Sequence, residues 1–492
     1  MMDRCVSGRV AIEEIYPGAP AFLQALREDI DLSQQETDLL VGDFRSLLYA
    51  YADEGLSEQT VFARLGSQPL KGFYRQLTQP ERYHNLFTDA IFPLSETAFN
   101  QNVWRSTVRL PERVQPALLQ AALDMVLPDF PYFSTYLRHG FFWFDLYGMR
   151  RRLPVSPLRS RPGAPIRPGR YKPLFLVEYE ADGIIVEGRH ALVDGTGCVL
   201  FTRALTRTYL HLTGRDLPHP VRDHINCAAR AFPNFQDLYG IPEHQTLPSS
   251  LIPSRALHLA GRPKLLQAAG YSAISLSARE LTALAHEKGV TVTALLSAIL
   301  FLCIRDCLPK KKRLSGRAKL AIPVNLHKFY PLDTLRNYSM FINIELEPEE
   351  LTTLEDLLPK VSDQLARQNN PQVVGSMIGG ILQQIQSPVT RYAPAFLKWL
   401  VMCFARLVLW EPWIMTSIFS NLGVIPDEFA GDIRSFGVAA SAVKSIRRKV
   451  VLATTGDRAL LTLTKTTDDT AFEEAFLRRL HEAGLHGELT EP

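Results

Sequence analysis

The sequence lacks an apolar run of the ~20 residues that a membrane-spanning helix needs. Its most apolar stretch, 396–410, is interrupted by Lys398 and Arg406. We expect this stretch to be a buried or groove-lining helix, with contact to a membrane surface as the alternative. Cysteine is scarce: among 6 residues only Cys303 and Cys307 are close together, and no His/Cys cluster has the spacing of a zinc site. No metal is therefore expected.

The charge balance also excludes several classes of protein. Lys+Arg number 54 against 51 for Asp+Glu, so nothing in the composition indicates a nucleic-acid partner. The first residues lack the apolar segment of a signal peptide, which predicts a cytoplasmic protein with reduced thiols. The length of 492 residues suffices for two or three domains, and the sequence contains no internal repeat.

A glycine-rich turn follows one predicted strand and carries a histidine. The apolar run 184–186 indicates a strand, and residues 198–212 indicate a helix that Gly214 ends. His190 lies between them, where a rigid strand aims the side chain and a loop opens it to a substrate. With an ordinary pKa near ~6.5, its imidazole accepts a proton at neutral pH. The alternative is that His190 only hydrogen-bonds a backbone carbonyl at the end of the strand.

Residues 1–78 are predicted to form a separate helical appendage. Ser33 and Ser57 each occupy a position from which the side chain caps a helix. The run 53–66 resembles the small helical module called HAAS, found beside membrane or regulatory segments in bacteria; the alternative is an arbitrary three-helix appendage. We expect it to fold apart from the rest, so that its removal leaves the activity measurable.

The remainder divides into two halves that each mix strands with helices. In the first half, Asp182 and Gly183 lie between two apolar runs and predict a hairpin whose second strand ends at His190. The irregular, proline-rich stretch 218–263 then indicates a linker. The second half alternates strands and helices up to a last helix over 470–482.

Several stretches together resemble the chloramphenicol-acetyltransferase-like superfamily, which includes carnitine-type and plant acyltransferases, condensation domains and mycobacterial polyketide-associated acyltransferases. Its signature, His-x-x-x-Asp-Gly, is present as His190, Asp194 and Gly195, with Arg189 where members often have another histidine. The further matching stretches are 131–133, 140–143, 323–331, 334–338 and 420–423. They are most similar to bacterial alcohol acetyltransferase-like members, which usually carry arginine in place of His327.

The resemblance implies an α/β (α+β) fold of two similar subdomains, each a mixed sheet with flanking helices. The two would meet face to face, with the histidine in a channel between them. The first subdomain, with the signature, would span 79–235, the crossover linker 236–268, and the second subdomain 269–492.

The chemistry that the resemblance implies is acyl transfer. His190 would be the general base for an acceptor hydroxyl or amine that attacks the thioester of acyl-CoA, a co-substrate that needs no further cofactor. Asp194 would hold the loop through an ion pair whose basic partner the sequence does not reveal, and Gly195 belongs to the same turn. Candidates for the channel and for stabilising an oxyanion are Asn325, Thr416, Ser420 and Asn421. The acceptor is expected to be small and apolar.

Two other functions are compatible with the same residues. One is a condensation-type acyltransferase that takes its donor from a carrier protein in lipid or natural-product assembly. The other is a catalytically silent binding or regulatory protein, which the altered positions Arg189 and His327 would suit.

Two basic stretches, 150–172 and 310–313, are predicted to help bind the phosphates of the donor. The candidate side chains are Arg159, Arg161, Lys311 and Lys312. Reversing the charge of both candidates in one stretch should raise the apparent KM for acyl-CoA, and the penalty should shrink as salt rises. Steady-state kinetics at two salt concentrations check this. An unchanged KM in both double variants would favour a carrier protein or a donor without phosphates.

Overall fold

The structure is a computed structural model of the whole chain. It describes residues 9–76, 82–84, 93, 102–158, 166, 172–215, 217, 254–259, 261, 270–309, 315–330, 335–405, 415–426, 429, 431–443 and 446–490.

The α-helices in these ranges are α1 (Ile12–Ile15), α2 (Ala19–Glu28), α3 (Gln34–Asp53), α4 (Glu58–Leu65), α5 (Phe73–Gln76), α6 (Pro116–Val126), α7 (Gly195–Leu212), α8 (Ala278–Glu287), α9 (Val292–Asp306), α10 (Leu354–Gln368), α11 (Pro371–Gln386), α12 (Pro388–Tyr392), α13 (Ala395–Ala405) and α14 (Ala471–Glu482).

The strands are β1 (Arg82–His84), β2 (Val103–Arg109), β3 (Thr135–His139), β4 (Phe144–Gly148), β5 (Val155–Pro157), β6 (Phe175–Glu180), β7 (Gly183–Arg189), β8 (Gly270–Ser277), β9 (Ala318–Asn325), β10 (Ser339–Leu346), β11 (Ser417–Val424), β12 (Ser435–Ala440), β13 (Arg448–Thr455), β14 (Arg458–Lys465) and β15 (Glu488–Thr490).

Local sequence signals explain where several helices begin. The side chains of Ser33, Ser57 and Ser277 each accept a hydrogen bond from the backbone N–H three residues further on. Such a bond satisfies one of the amide groups that a helix leaves without a partner in its first turn. The predicted hairpin around Asp182 and Gly183 is also present, since β6 and β7 pair in antiparallel register across it.

The first sheet places the strand that ends at the histidine in its centre. Its order is β12-β2-β7-β6-β5, and every residue of β7 is buried. A strand with partners on both sides and cover on its faces is a rigid support for the residue that follows it. The helix α7 continues from the turn and packs on this sheet and on α6.

The second sheet is larger and carries the residues that face the turn from the other half. Its order is β10-β9-β11-β13-β14-β8-β15, with β11 parallel to both of its neighbours. Helix α9, buried along most of its length, packs against β9, α10 and α14 on one side of this sheet. The two sheets with their flanking helices confirm the predicted mixed α/β architecture of two subdomains.

One strand crosses between the halves. Residues 435–440 follow the second half in sequence, but β12 pairs with β2 in the first sheet along its whole length, from Ser435 opposite Arg109 to Ala440 opposite Trp104. One strand of the stretch 269–492, which was predicted to form the second subdomain, therefore completes the other sheet. The linker 236–268 lies largely outside the described residues.

The N-terminal helices share a core with the first half, although we expected them to fold apart. Buried side chains of α2 to α5 belong to the same apolar cluster as those of α6 and α7. The hydroxyl of Tyr51 donates to the carbonyl of Leu212 at 2.8 Å, and Arg152 Nη2 donates to Asp43 Oδ1 at 2.7 Å. The predicted boundary near residue 78 marks a change in sequence pattern, whereas the packing is continuous across it.

Helix α13 contains the described part of the apolar stretch, residues 396–405, and is largely exposed rather than buried. The stretch 396–410 was expected to be a buried or groove-lining helix, yet Phe396 and Phe404 are 64% and 65% exposed. Among the described helices none alone has the length and apolar character to cross a bilayer, and the bent pair α8 and α9 meets that test only jointly.

A substitution at Tyr51 tests the shared core. We expect Tyr51→Ala to lower the melting temperature of the whole chain in one transition and to cost about 3–5 kcal/mol, because it empties a buried site and leaves the Leu212 carbonyl without this donor. Leu39→Ala on the same helix, at a site that is 46% exposed, is the matched control. Two separate transitions, with only one shifted by Tyr51→Ala, would instead show an independent appendage.

Candidate active site

His190 directly follows the last residue of β7. Its backbone N–H donates to the carbonyl of Asn102 at 2.7 Å, while the N–H of Arg189 donates to Leu174 at 2.8 Å. These bonds continue the strand pairing on both sides up to the histidine. The residue is half-buried, so the ring lies at the edge of the sheet rather than within its core.

Asn337 of the other half holds the imidazole ring with two hydrogen bonds. The side-chain Nδ2 of Asn337 donates to the backbone carbonyl oxygen of His190. This bond fixes the orientation of the Asn337 amide, so that its Oδ1 faces the His190 ring as an acceptor. That Oδ1 lies 2.6 Å from His190 Nδ1. A neutral ring in this arrangement carries its proton on Nδ1, because only an N–H can donate to Oδ1. The basic lone pair is therefore on Nε2.

Asp194 joins the two halves through its two carboxylate oxygens. Oδ1 accepts from the backbone N–H of Gly197 at 3.0 Å and so caps α7. Oδ2 accepts from the backbone N–H of Tyr338, next to Asn337, at 3.2 Å. Burial raises the pKa of Asp194, while these bonds and the charge of His327 oppose that rise. His327 is thus a basic neighbour of the Asp194 carboxylate.

The glycines of the turn leave room for this contact. A Cβ atom on Gly197 would lie 2.7 Å from the carbonyl oxygen of Leu335, so a larger residue would push the segment 335–338 away. A Cβ on Gly195 would meet the rings of Trp104 and the side chain of Leu422 at 3.1 Å. Both glycines are therefore required by close packing between the halves rather than by backbone angles.

The electrostatic surroundings keep the imidazole neutral. Burial is the main cause that lowers the pKa of His190 to about 3, and the Lys449 ammonium adds to the effect. Burial also lowers the pKa of Lys449 to about 8. The Nζ of Lys449 donates to the Asn102 side chain at 3.1 Å, and the Trp104 ring centroid lies 5.2 Å from that of His190.

The other predicted site residues have mostly structural contacts. Asn325 Oδ1 accepts from the N–H of His327 at 3.0 Å and caps the short turn that leads towards Asn337. The hydroxyl of Thr416 accepts from the N–H of Lys319, within the second sheet. The Asn421 side chain donates to Thr293 at 3.0 Å.

Ser420 is buried on β11, beside β13. A role for any of these four candidates in stabilising an oxyanion stays a prediction. The donor-binding candidates lie outside the described residues: Arg159, Arg161, Lys311 and Lys312.

Sequence reasoning did not identify Asn337 or Lys449 as site residues. Asn337 lay within the matching stretch 334–338, which was a usable signal, but nothing local shows that this stretch reaches a turn formed near residue 190. Lys449 stands in an apolar strand, and a lysine there was the only sign of a special environment.

Substitution of Asn337 tests its positioning role. Asn337→Ala should lower kcat for the acyl transfer that the sequence resemblance implies about 10²-fold, because the ring loses the bonds that orient it. Asn337→Asp keeps an acceptor for Nδ1–H, and its negative charge favours the imidazolium. This variant should move the acid limb of the pH profile towards neutral pH. A lower melting temperature with an unchanged pH profile of the activity in both variants would show that Asn337 has only a structural role.

Comparison with known proteins places this arrangement in a known fold. No protein-family profile and no curated protein sequence matches the chain. Among solved structures, TRI3 trichothecene 15-O-acetyltransferase from Fusarium sporotrichioides is similar, with a TM-score of 0.57 and 12% identity over 84% of this chain and 95% of that one.

Two further structures represent related groups. F. graminearum TRI101, complexed with ethyl coenzyme A, gives a TM-score of 0.56 and 10% identity over 83% of this chain and 100% of its own. The epimerization domain from the third module of tyrocidine synthetase B gives a TM-score of 0.51 and 12% identity over 82% of this chain and 96% of its own. The chain therefore has the two-subdomain fold that these acetyltransferases share with condensation-type domains, as the sequence resemblance predicted.

Proposed function

We propose that the protein transfers an acyl group from acyl-CoA to a hydroxyl or amine acceptor, with His190 as the general base. The observation that carries the proposal is the contact of Asn337 with the ring, which leaves the basic lone pair on Nε2. The fold is that of proteins described as acetyltransferases, one of them bound to ethyl coenzyme A.

The proposed reaction begins with the acceptor proton. As the acceptor oxygen or nitrogen bonds to the thioester carbonyl carbon, its proton moves to His190 Nε2. The C–S bond then breaks, and the departing sulfur takes the proton from the imidazolium. The imidazole returns to its neutral form and CoA leaves as the free thiol.

The surroundings of His190 suit both proton transfers. Burial and the Lys449 charge favour the neutral ring, so the base is ready without prior deprotonation. The same two effects disfavour the imidazolium once it has formed, which drives its proton on to the sulfur. The hydrogen bond from Nδ1–H to Asn337 Oδ1 persists in both protonation states and opposes rotation of the ring.

Measurement of free thiol from a panel of acyl-CoAs with alcohol and amine acceptors tests the proposal. His190→Ala should lower acyl transfer by about 10²–10⁴-fold with little change in melting temperature. His286→Ala, an exposed histidine on α8, is the matched control. Retained activity in His190→Ala excludes its role as base. If neither the wild type nor His190→Ala releases thiol from acyl-CoA, but the wild type transfers the acyl group from a carrier-bound thioester, the carrier-dependent alternative is favoured.

The pH dependence gives a second readout of the same assay. The folded ring stays neutral until pH falls through about 3, whereas the unfolded ring gains a proton near its ordinary pKa of 6.5. Acid between these values therefore favours unfolding without protonating the base. We expect activity lost in this window to follow the loss of folded protein measured by circular dichroism.

A further inference from the structure

Helix α13 buries its only charged residue and exposes its apolar ones. Lys398 is 7% exposed, whereas the large apolar side chains around it are 40% to 65% exposed. These exposed side chains are Phe396, Leu397, Trp399, Leu400, Val401 and Phe404. A surface helix of a soluble protein has the opposite arrangement, with its charges in water and its apolar stripe on the core.

The helix is fixed in this orientation by the turn between β3 and β4, two strands that pair in antiparallel register. Lys398 Nζ donates to the carbonyl of Phe142 at 2.7 Å and lies 3.4 Å from the ring centroid of Trp143. The N–H of Ala395 donates to the carbonyl of Phe141 at 2.7 Å. The buried lysine therefore anchors α13 and turns the apolar residues outwards.

The anchoring also brings further apolar surface alongside the helix. Phe141 and Phe142, in the turn between β3 and β4, are 69% and 43% exposed, and Val389 and Tyr392 of α12 are 81% and 62% exposed. We call these four residues and the six exposed ones of α13 the apolar platform. Contiguous apolar surface of this kind is uncommon on a monomeric soluble protein and marks a contact site.

The sequence that contains α12 and α13 has basic residues but no acidic ones. Between Asp363 and Glu411 the sequence contains no acidic residue. Of the basic residues in the described part of this stretch, Arg391 is exposed beside Tyr392, whereas Lys398 is buried and Arg367 pairs with Asp363 at 2.9 Å. Two copies of the same face would bring like charges together, whereas the negative surface of an anionic bilayer complements them.

We propose that the apolar platform is a docking surface for an anionic phospholipid bilayer. The uncharged run between Lys398 and Arg406 is far shorter than the ~20 residues that cross a bilayer, so the helix lies in the interface. Phenylalanine, leucine and tryptophan enter the boundary between headgroups and acyl chains, and the exposed Arg391 meets the headgroups. The inference rests on the exposed surface and is independent of the proposed acyl transfer.

Flotation of the purified full-length protein with vesicles tests this surface. Vesicles of phosphatidylcholine alone are compared with vesicles that contain phosphatidylglycerol as well, at low and high salt. We expect binding to the anionic vesicles and weaker binding when phosphatidylglycerol is absent or salt is high. The triple variant Phe396→Ser, Leu400→Ser, Phe404→Ser should bind about tenfold or more weakly, because it removes much of the apolar area that inserts.

A matched variant distinguishes binding by the platform from nonspecific binding by other exposed apolar side chains. Leu39, Val424 and Leu489 are 46%, 71% and 52% exposed and lie outside the platform, so their triple serine variant should bind as the wild type does. Equal binding by wild type and the platform variant, or binding to neither kind of vesicle, overturns the proposal. If the wild type forms dimers that the platform variant does not form, and binds no vesicles, the platform is a self-association surface instead.

Discussion

A single carboxylate fixes the relation between the two halves at the candidate site. Asp194 uses one oxygen to cap the helix of its own half and the other to accept the N–H of Tyr338 from the opposite half. The residue before Tyr338 is Asn337, whose amide holds the ring of His190. The position of the proposed base therefore depends on a bond that neither half could form alone.

The burial that this junction creates also sets the protonation of the base. An imidazole partly removed from water resists a positive charge, and a second cation nearby strengthens that resistance. Lys449 is brought there by β13 of the second sheet, and its ammonium is bonded to Asn102, whose carbonyl accepts the His190 N–H. The orientation of the His190 ring and the cation near it therefore both come from contacts between the same two halves.

The features that sequence predicted are those with local causes. The caps at Ser33 and Ser57 and the hairpin at Asp182 depend on residues within a few positions of one another, and the structure has them all. The motif around His190 was also visible, because its strand, turn and helix are contiguous. The fold class followed from resemblance across several stretches and is confirmed by the structural comparisons.

The features that sequence missed depend on residues distant in the chain. Nothing near Asn337 shows that it reaches His190. The periodicity of the N-terminal helices predicts that they bury an apolar face but does not say against what. For α13, the apolar composition suggested burial, and only the position of Lys398 in the folded chain shows that the helix is turned outwards.

The crossing strand β12 can pair only late in the synthesis of the chain. The first sheet gains its strand beside β2 only when residues 435–440 arrive, after most of the second half has been synthesised. Until then β2 is an edge strand, with backbone groups able to pair with another chain. Pairing across such a sequence distance gives the protein a high contact order and slow folding. A nascent chain that stalls before residue 435 would therefore be a natural client for chaperones on the ribosome.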